Sequence, residues 1–548
     1  MLLVTSPVVR APRSDNQDLC IPDHGQLCSQ VIENHRLWSS DSIPAWFKRL
    51  RESARIEIAS AAKGYARSYT HEPPLEPSML WLMGGHQPEA FHPGVWYKNI
   101  LIDQATKSLC AAEQPTTGIH VIIDHDLPKS LSIKVPSRSK SDSEHIGNEA
   151  CPLPIQRRQS SGQVPEPWHN YEIDHDRIAP FVRKIESSAS SLGLPEPMAR
   201  HFFESLTHLP SPSNAAVALS QARHLTETKH GLRNVDLPMS SICQTQAWFK
   251  FVEHCIVHAQ SLWQVYNSAL DQYRKREKIT NPGQPVATLG TQGPWLELPF
   301  WLYRSSDPGR NRMWLKIDSS IWELGCGLRP DQLAWTLQVD PKSGGLEKAI
   351  NSATDQEIYL RPRALMTTLF MRCFLADGFV HGIGGGIYDR LTDEIIRGFL
   401  GIEPPGYTIA TATLHLPLPE NLRRMTLSAE TELEKLKEHS RKIRSAPERI
   451  LSPSNPDDLA LANAHAKLLS AIPMRGAKKM WHRQMVDIKD QIRKAIEPAV
   501  VEHQRKLIAA QRQSQEAHLL GSREYSMLLF PESNCIDRLK SLASQVRA

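Results

Sequence analysis

Apolar residues in this chain recur with two different spacings, and the changes between them mark its elements. The first long regular stretch, "IPAWFKRLRESARIEIASAAKGYARSY", has the three-to-four-residue spacing of an amphipathic helix. At Met79–Met83 the pattern becomes a short unbroken apolar run, which predicts a buried strand. That run meets Gly84-Gly85, read as a turn. From about Gly94 helical spacing returns, with Val95, Ile100, Leu101 and Ala105 able to share one face. A second apolar run, His120–Ile123, ends at Asp124-His125-Asp126. Strand, glycine turn, helix, strand and acidic strand end follow the order of a βαβ unit, so the fold class is α/β.

Downstream, residues 136–168 are rich in Ser, Pro and polar groups and read as an extended loop with one short strand. A mainly helical insertion is expected at about 170–280. Within it "AWFKFVEHCIVHAQSLWQVYNSALDQYRKREKI" reads as one long helix with Trp248, Phe251, Cys255, Leu262 and Tyr266 inward. Strands are expected at "PVATLG", "PWLELPFWLYRSS" and "NRMWLKID". The stretch "YLRPRALMTTLFMRCFLADGFVHGIGGGIYDRL" then predicts helix, short strand, glycine turn and helix, a second corner like the first. After Pro404-Pro405 comes one more strand. Residues 418–448 and 477–520 are rich in Glu, Lys, Arg, Gln, Leu and Ala, the composition of two long antiparallel helices, the second interrupted at Pro498. The expected units are a core over 1–415, a helical hairpin over 416–522 and a segment over 523–548 that packs back on the core.

A length of 548 residues exceeds the usual size of one compact unit, which fits that division. The net charge of +5 is small, and no long Lys/Arg block is present, which argues against a nucleic-acid partner. No apolar run approaches the ~18 residues that span a bilayer, and "MLLVTSPVVRAPRSDNQ" lacks a secretory apolar core, so no membrane association is expected. Nine scattered cysteines without a CxxC pair fit reduced thiols in the cytoplasm, with Cys110, Cys255 and Cys373 as core positions on helices.

The two corners concentrate the candidate chemistry. Gly84 and Gly85 would let a ligand approach the backbone, and the helix beginning near Gly94 would turn its N–H groups toward an anion. His86, Gln87, His92, Lys98 and Asn99 surround that corner. The imidazoles suit proton transfer or charge stabilisation, and Lys98 supplies a fixed cation. Asp124, His125 and Asp126 stand where open α/β sheets bind ligands. His381, Gly384, Gly385, Gly386 and Asp389 form the second corner, whose spacing is not that of a dinucleotide fingerprint. Arg361 and Arg363 could clamp a carboxylate or phosphate. Taken singly, such motifs are also ordinary turns, caps and surface ion pairs. No metal is assigned, because the histidine spacing matches no standard zinc site.

In order, these pieces resemble the cysteine-adding enzymes of bacillithiol biosynthesis, the BshC cysteine ligases. That family's "TGQQ…FTGPLY" turn is matched by "GGHQPEAFHPGVWY", with Gln87, Phe91, Gly94 and Tyr97 in frame. Its "EDHD" strand end is matched by "DHD" at 124–126. Its "LFLY…R" strand pair is matched by "PFWLYRSSDPGRNRMWLK", and its "LRP" and "GGPGE" region by "LRPRALM…HGIGGGIYD". The tail "SREYSMLLFPESNCIDRLKSL" is also similar. Departures are His86 in place of the first glutamine, His92-Pro93 in place of small residues, and the missing acid after the second glycine turn, for which Asp389 is the available substitute.

The resemblance implies a Rossmann-like core, a hairpin that forms a homodimer, and a ligase joining cysteine or another amino acid to a small acceptor such as glucosaminyl-malate. Activation of the carboxyl group points to ATP or ADP in the site. On this reading His86, His92 and Lys98 stabilise phosphate, Gly84 and Gly85 admit it, Asp124 and Asp126 hold a ribose or amine, and the second corner closes the nucleotide pocket. A nucleotide-binding scaffold without ligase activity, or a nucleotidyltransferase or glycosyltransferase, would use the same corners with other partners.

Overall fold

The computed structural model describes residues 9–138, 145–158, 167–209, 214–305, 307–318, 321–352, 357–474 and 478–547. A central sheet contains β1 (Gln17–Ile21), β2 (Leu80–His86), β3 (Thr116–Ile122), β4 (Val235–Pro238), β5 (Gly378–His381) and β6 (Thr408–Thr413). Its order is β1-β6-β5-β2-β3-β4, parallel throughout except for antiparallel β1 at the edge. Each parallel strand is apolar on both sides because both faces are covered. Trp81, Met83, Ile119, Val121 and Leu237 enter one core, while Leu80, Leu82, Val380, Ala410 and Ala412 enter the other. Helix α1 (Ala45–Arg67) lies on the first face through Phe47, Ala54, Ile58 and Ala62, and α2 (Pro93–Ala111) on the second through Trp96, Ile100 and Leu101.

Ion pairs fix these layers. Asp377, at the entry to β5, accepts from Arg51 at 2.8 Å and Arg55 at 3.0 Å, so α1 is tied to the sheet it covers. Beneath the second face, Arg223 on α3 (Ala215–Lys229) meets Glu227 at 2.6 Å and Asp236 of β4 at 2.5 Å. All three side chains are buried, so the pairing satisfies charges that would otherwise be costly to desolvate.

Helix α4 (Ile383–Ile395) connects β5 to β6. Between β4 and β5 the chain builds a separate antiparallel sheet from strands 295–304, 307–318, 321–327, 333–339 and 358–362. Its inner residues, among them Leu298, Phe300, Leu302, Met313 and Leu324, join the core of the first face. The C-terminal region is helical: α5 (Glu420–Ser445) packs along α6 (Glu497–Leu520), and helices 456–470 and 478–495 pack together beyond them. Helix 532–543 returns to α2. Among the described residues no helix is long and apolar enough to cross a membrane.

Several expectations change. Gly84 and Gly85 are not a turn; they belong to β2. A Cβ on Gly84 would lie 2.8 Å from Ile102, so the residue is small because α2 packs there. Around 136–168, strand 132–138 pairs with 146–152 and 155–157 with 171–173, where one short strand was expected. The helical stretch is no simple insertion, since it contains β4, an edge of the central sheet. The long helix breaks at His258, its halves packing against α1 and α4 respectively, although Trp248, Phe251, Cys255, Leu262 and Tyr266 are buried as expected. "PVATLG" forms no strand. Cys110 is exposed, whereas Cys255 and Cys373 are buried. The break expected at Pro498 falls just before it, because a residue without an N–H is tolerated in the first helical turn.

Candidate functional site

From β2 the chain winds outward to β3 and β4, then returns to the other side of β2 to lay down β5 and β6. The direction therefore reverses between β2 and β5, and open parallel sheets leave a crevice outside the strand ends at such a point. A cleft of about 770 Å³ opens there. Gly85, His86, Gln87, His92, Gly94 and Lys98 line it from the first corner, and His381, Gly384 and Gly385 from the second. The antiparallel sheet closes one wall with Trp301, Arg310 and Arg363.

The histidines of the first corner have opposite polarity. His86 Nδ1 donates to the Gln87 carbonyl at 2.8 Å, since a carbonyl can only accept. In the neutral ring Nε2 is then a lone pair. Burial, with Lys98 and Lys129 nearby, holds His86 well below the usual histidine range, so the neutral form prevails. His92 caps α2: its Nδ1 accepts from the Gly94 N–H at 3.1 Å, which leaves Nε2 as the donor, 3.8 Å from Glu524. Burial lowers His92 to about 4. Of the roles open to these imidazoles, the acceptor that His86 presents suits proton transfer, and the donor that His92 presents suits charge stabilisation.

Lys98 is the buried cation of this corner. It is 5% exposed, its Nζ donates to the Gly85 carbonyl at 3.1 Å, and no carboxylate among the described residues pairs with it. Burial, then repulsion from Lys129, lowers it to about 8. Gly94 serves packing, because a Cβ would lie 2.3 Å from both the Ala412 carbonyl and Arg523.

The second corner is open. Gly382 caps α4 without a side-chain hydrogen bond, and Gly382 and Gly384 have nothing within 4 Å of where a Cβ would be. The first N–H groups of α4 lack intrahelical acceptors by geometry and carry the positive end of its dipole. Asp389 lies behind this corner, fully buried. It accepts from Thr368 at 2.7 Å, Arg372 at 2.6 Å and His381 Nε2 at 2.9 Å. Burial opposes its charge, but Arg372 and His381 hold it below the usual carboxylate range. His381 Nε2 therefore carries a proton toward Asp389.

Of the strand-end acids, Asp126 lines the cleft but is occupied by Gln87 Nε2 and Arg310, each at 2.5 Å. Burial opposes its ionisation, and Arg310 outweighs burial and keeps it low. Neutral His125, lowered to about 3 by burial, also lines the cleft. Arg363 lines it while paired with Glu297 at 2.8 Å, its Cζ 4.4 Å from the Trp301 ring.

Six anticipated ligand contacts lie outside the cleft lining. Gly84 and Gly386 pack against Ile102 and Ile409, and Asn99 donates to Glu227 at 2.9 Å. Asp124 is engaged by the Ser240 N–H and hydroxyl, Arg361 is buried against Tyr359, and Asp389 positions His381. The cleft also uses Lys129, Trp301, Arg310 and Arg523, which lie outside the two corner motifs. Arg523 lies within the tail "SREYSM", and that resemblance was the available signal; it donates to Thr411 at 2.7 Å. Arg310 lies within the strand pair "PFWLYRSSDPGRNRMWLK", so the resemblance was again the available signal, but its meeting with Asp126 is a tertiary contact that no local pattern encodes. Neither the family models nor the curated proteins searched contain a match to this chain.

Proposed function

We propose that the cleft is the nucleotide and substrate site of a carbon–nitrogen ligase, one that joins the carboxyl group of cysteine or another amino acid to the amine of a small, glucosaminyl-malate-like acceptor. The reversal of strand order supports reading the core as Rossmann-like, and the order of sequence motifs supports the ligase assignment. The observation that carries the proposal is the meeting of an uncapped helix end, a buried lysine without a carboxylate partner and the acceptor imidazole of His86 in one cleft.

ATP, when bound, supplies the activation that a carboxyl group needs to form an amide in water. The residues divide the remaining work. The N–H groups of Ile383, Gly384 and Gly385 and the Lys98 ammonium hold phosphate oxygens as their charge develops. His86 Nε2 takes the proton lost by the attacking amine. His92 Nε2 and Arg363 orient acceptor oxygens, and Trp301 covers the outer side. Cytoplasmic placement and a homodimer through the hairpin belong to the same reading. The nine free thiols support the first. Leu427 at 75% exposure and Met480 at 71% on hairpin helices support the second.

The test is phosphate or pyrophosphate release from ATP with cysteine and glucosaminyl-malate present. Wild-type protein is expected to show release that depends on both substrates, and Lys98→Met a loss of at least about tenfold. Nucleotide binding without such release would favour a binding scaffold. Release of nucleotide from a nucleotide-sugar with no amino acid present would favour a transferase.

A further inference from the structure

The seam between the two sheets holds a second group of polar atoms that the cleft chemistry does not use. Strand 358–362 pairs with 295–304 so that Arg361 lies opposite Trp301 and Tyr359 opposite Tyr303. Alternation then places Tyr303, Tyr359 and Arg361 on one face of the antiparallel sheet. Against that face lies His169, with ring centres 5.9 Å from Tyr303 and 5.4 Å from Tyr359. Tyr303 and Tyr359 are 5.2 Å apart, and the Arg361 Cζ is 5.0 Å from the Tyr359 ring. His125 connects this group to the cleft, which it lines.

Arg361 is 4% exposed, Tyr303 0% and His125 3%. The Arg361 Nη1 reaches only the neighbouring Leu360 carbonyl at 3.2 Å, and the Cys243 thiol lies against the guanidinium. No carboxylate among the described residues comes within 4 Å of it. The nearby Asp124 commits its two oxygens to the Ser240 N–H and hydroxyl. Arg361 Nε, Tyr303 Oη and His125 Nδ1 are buried without a hydrogen-bond partner, and the buried His169 ring beside them has only the Asp124 backbone within reach. Native proteins seldom leave so many buried polar atoms unpaired in one place, because each forfeits its bonds to water.

The chemistry of these atoms says what is missing. A guanidinium only donates, a phenol has a proton to give, and each neutral imidazole supplies one N–H. The phenol and the imidazoles can also accept but the guanidinium cannot, so its N–H groups leave donors in excess and the partner that fits is an acceptor-only group. A planar guanidinium edge is best met by two coplanar oxygens. We infer that this seam is a carboxylate-binding subsite centred on Arg361 and Tyr303 and entered from the cleft past His125. It does not depend on the ligase reading, since a carboxylate-bearing ligand of any reaction could occupy it.

The experiment titrates the full-length protein with sodium acetate against sodium chloride at equal ionic strength, read by calorimetry and thermal shift. Acetate is expected to bind wild-type protein and raise its melting temperature, and chloride to do neither. Arg361→Gln should weaken acetate at least about tenfold and Tyr303→Phe about threefold, while Lys98→Met leaves it unchanged. Loss in Arg361→Gln with retention in Lys98→Met separates this subsite from the phosphate end of the cleft. Should Arg361→Gln not fold, Tyr303→Phe and a crystal structure with acetate decide. Equal acetate binding in wild type and Tyr303→Phe, or ordered water alone between Arg361 and Tyr303, would overturn the inference.

Discussion

The two corners that flank the cleft share a sequence signature, glycines where a strand meets a helix, yet the folded chain uses them differently. At the β2–α2 corner the glycines are filled in from outside: Ile102 presses on Gly84, and Ala412 and Arg523 on Gly94. His92 then closes the helix end by accepting the Gly94 N–H. At the β5–α4 corner Gly382 and Gly384 face open space, and no side chain caps the helix. One corner is packed and capped, and the other is open and uncapped. A glycine pair in a sequence thus announces close approach without saying whether a neighbouring side chain or a ligand approaches.

Substitution of the glycines breaks this comparison most sharply. Gly94→Ala must displace backbone, so a loss of about 3 kcal/mol or failure to fold is expected by denaturant unfolding. Gly384→Ala meets nothing and gains helix propensity, so its stability should stay within about 1 kcal/mol of wild type. Its nucleotide affinity should fall, because the new methyl occupies the approach to the helix end. If the two variants are equally stable, the division between corners is wrong.

Lys98 links the corners through the anion they would share. Lys98→Met is expected to weaken ADP binding at least about tenfold by calorimetry, or ~1.4 kcal/mol. Its pH behaviour follows from a folded-state value of about 8, below the ordinary lysine value of 10.5. Between these values the unfolded chain binds more protons at this site, so its contribution to stability rises with pH. Over the same window the cation is lost and affinity for an anion falls. Wild type should show both trends, stability measured against Lys98→Met as reference. Parallel trends in the two proteins would remove Lys98 from the site.

The histidines sharpen the contrast with smaller effects. His92→Ala removes a helix cap and should cost about 1 kcal/mol of stability. His86→Gln removes no cap, and its amide can still donate to the Gln87 carbonyl, so it should cost less stability than His92→Ala while proton transfer is lost. Equal destabilisation by the two would contradict the opposite polarities assigned to these rings.

How much of this was legible beforehand depended on whether an element is specified locally. The Met79–Met83 and His120–Ile123 runs, the helix after Pro93 and the strand after Pro404-Pro405 follow from apolar spacing, and each lies in the sheet or on its face. The strand Val235–Pro238 could not be read this way. It has four residues between helices, and it is a strand because it hydrogen-bonds to β3. Among site residues, His86, His92, Lys98, His381 and Gly384 were visible because they stand at strand ends and helix starts. Asn99 and Asp124 looked equally eligible, but Glu227 and Ser240, distant in sequence, engage them inside the fold. Arg310 escaped notice for the converse reason, since only tertiary contact with Asp126 brings it to the cleft.

The most direct test of the central claim is a crystal structure of the protein with ADP bound. The account predicts phosphate oxygens within hydrogen-bonding distance of the Ile383, Gly384 and Gly385 N–H groups, with the Lys98 ammonium as their counter-charge. A nucleotide bound elsewhere, or an α4 N-terminus that remains hydrated at saturating ADP, would contradict it.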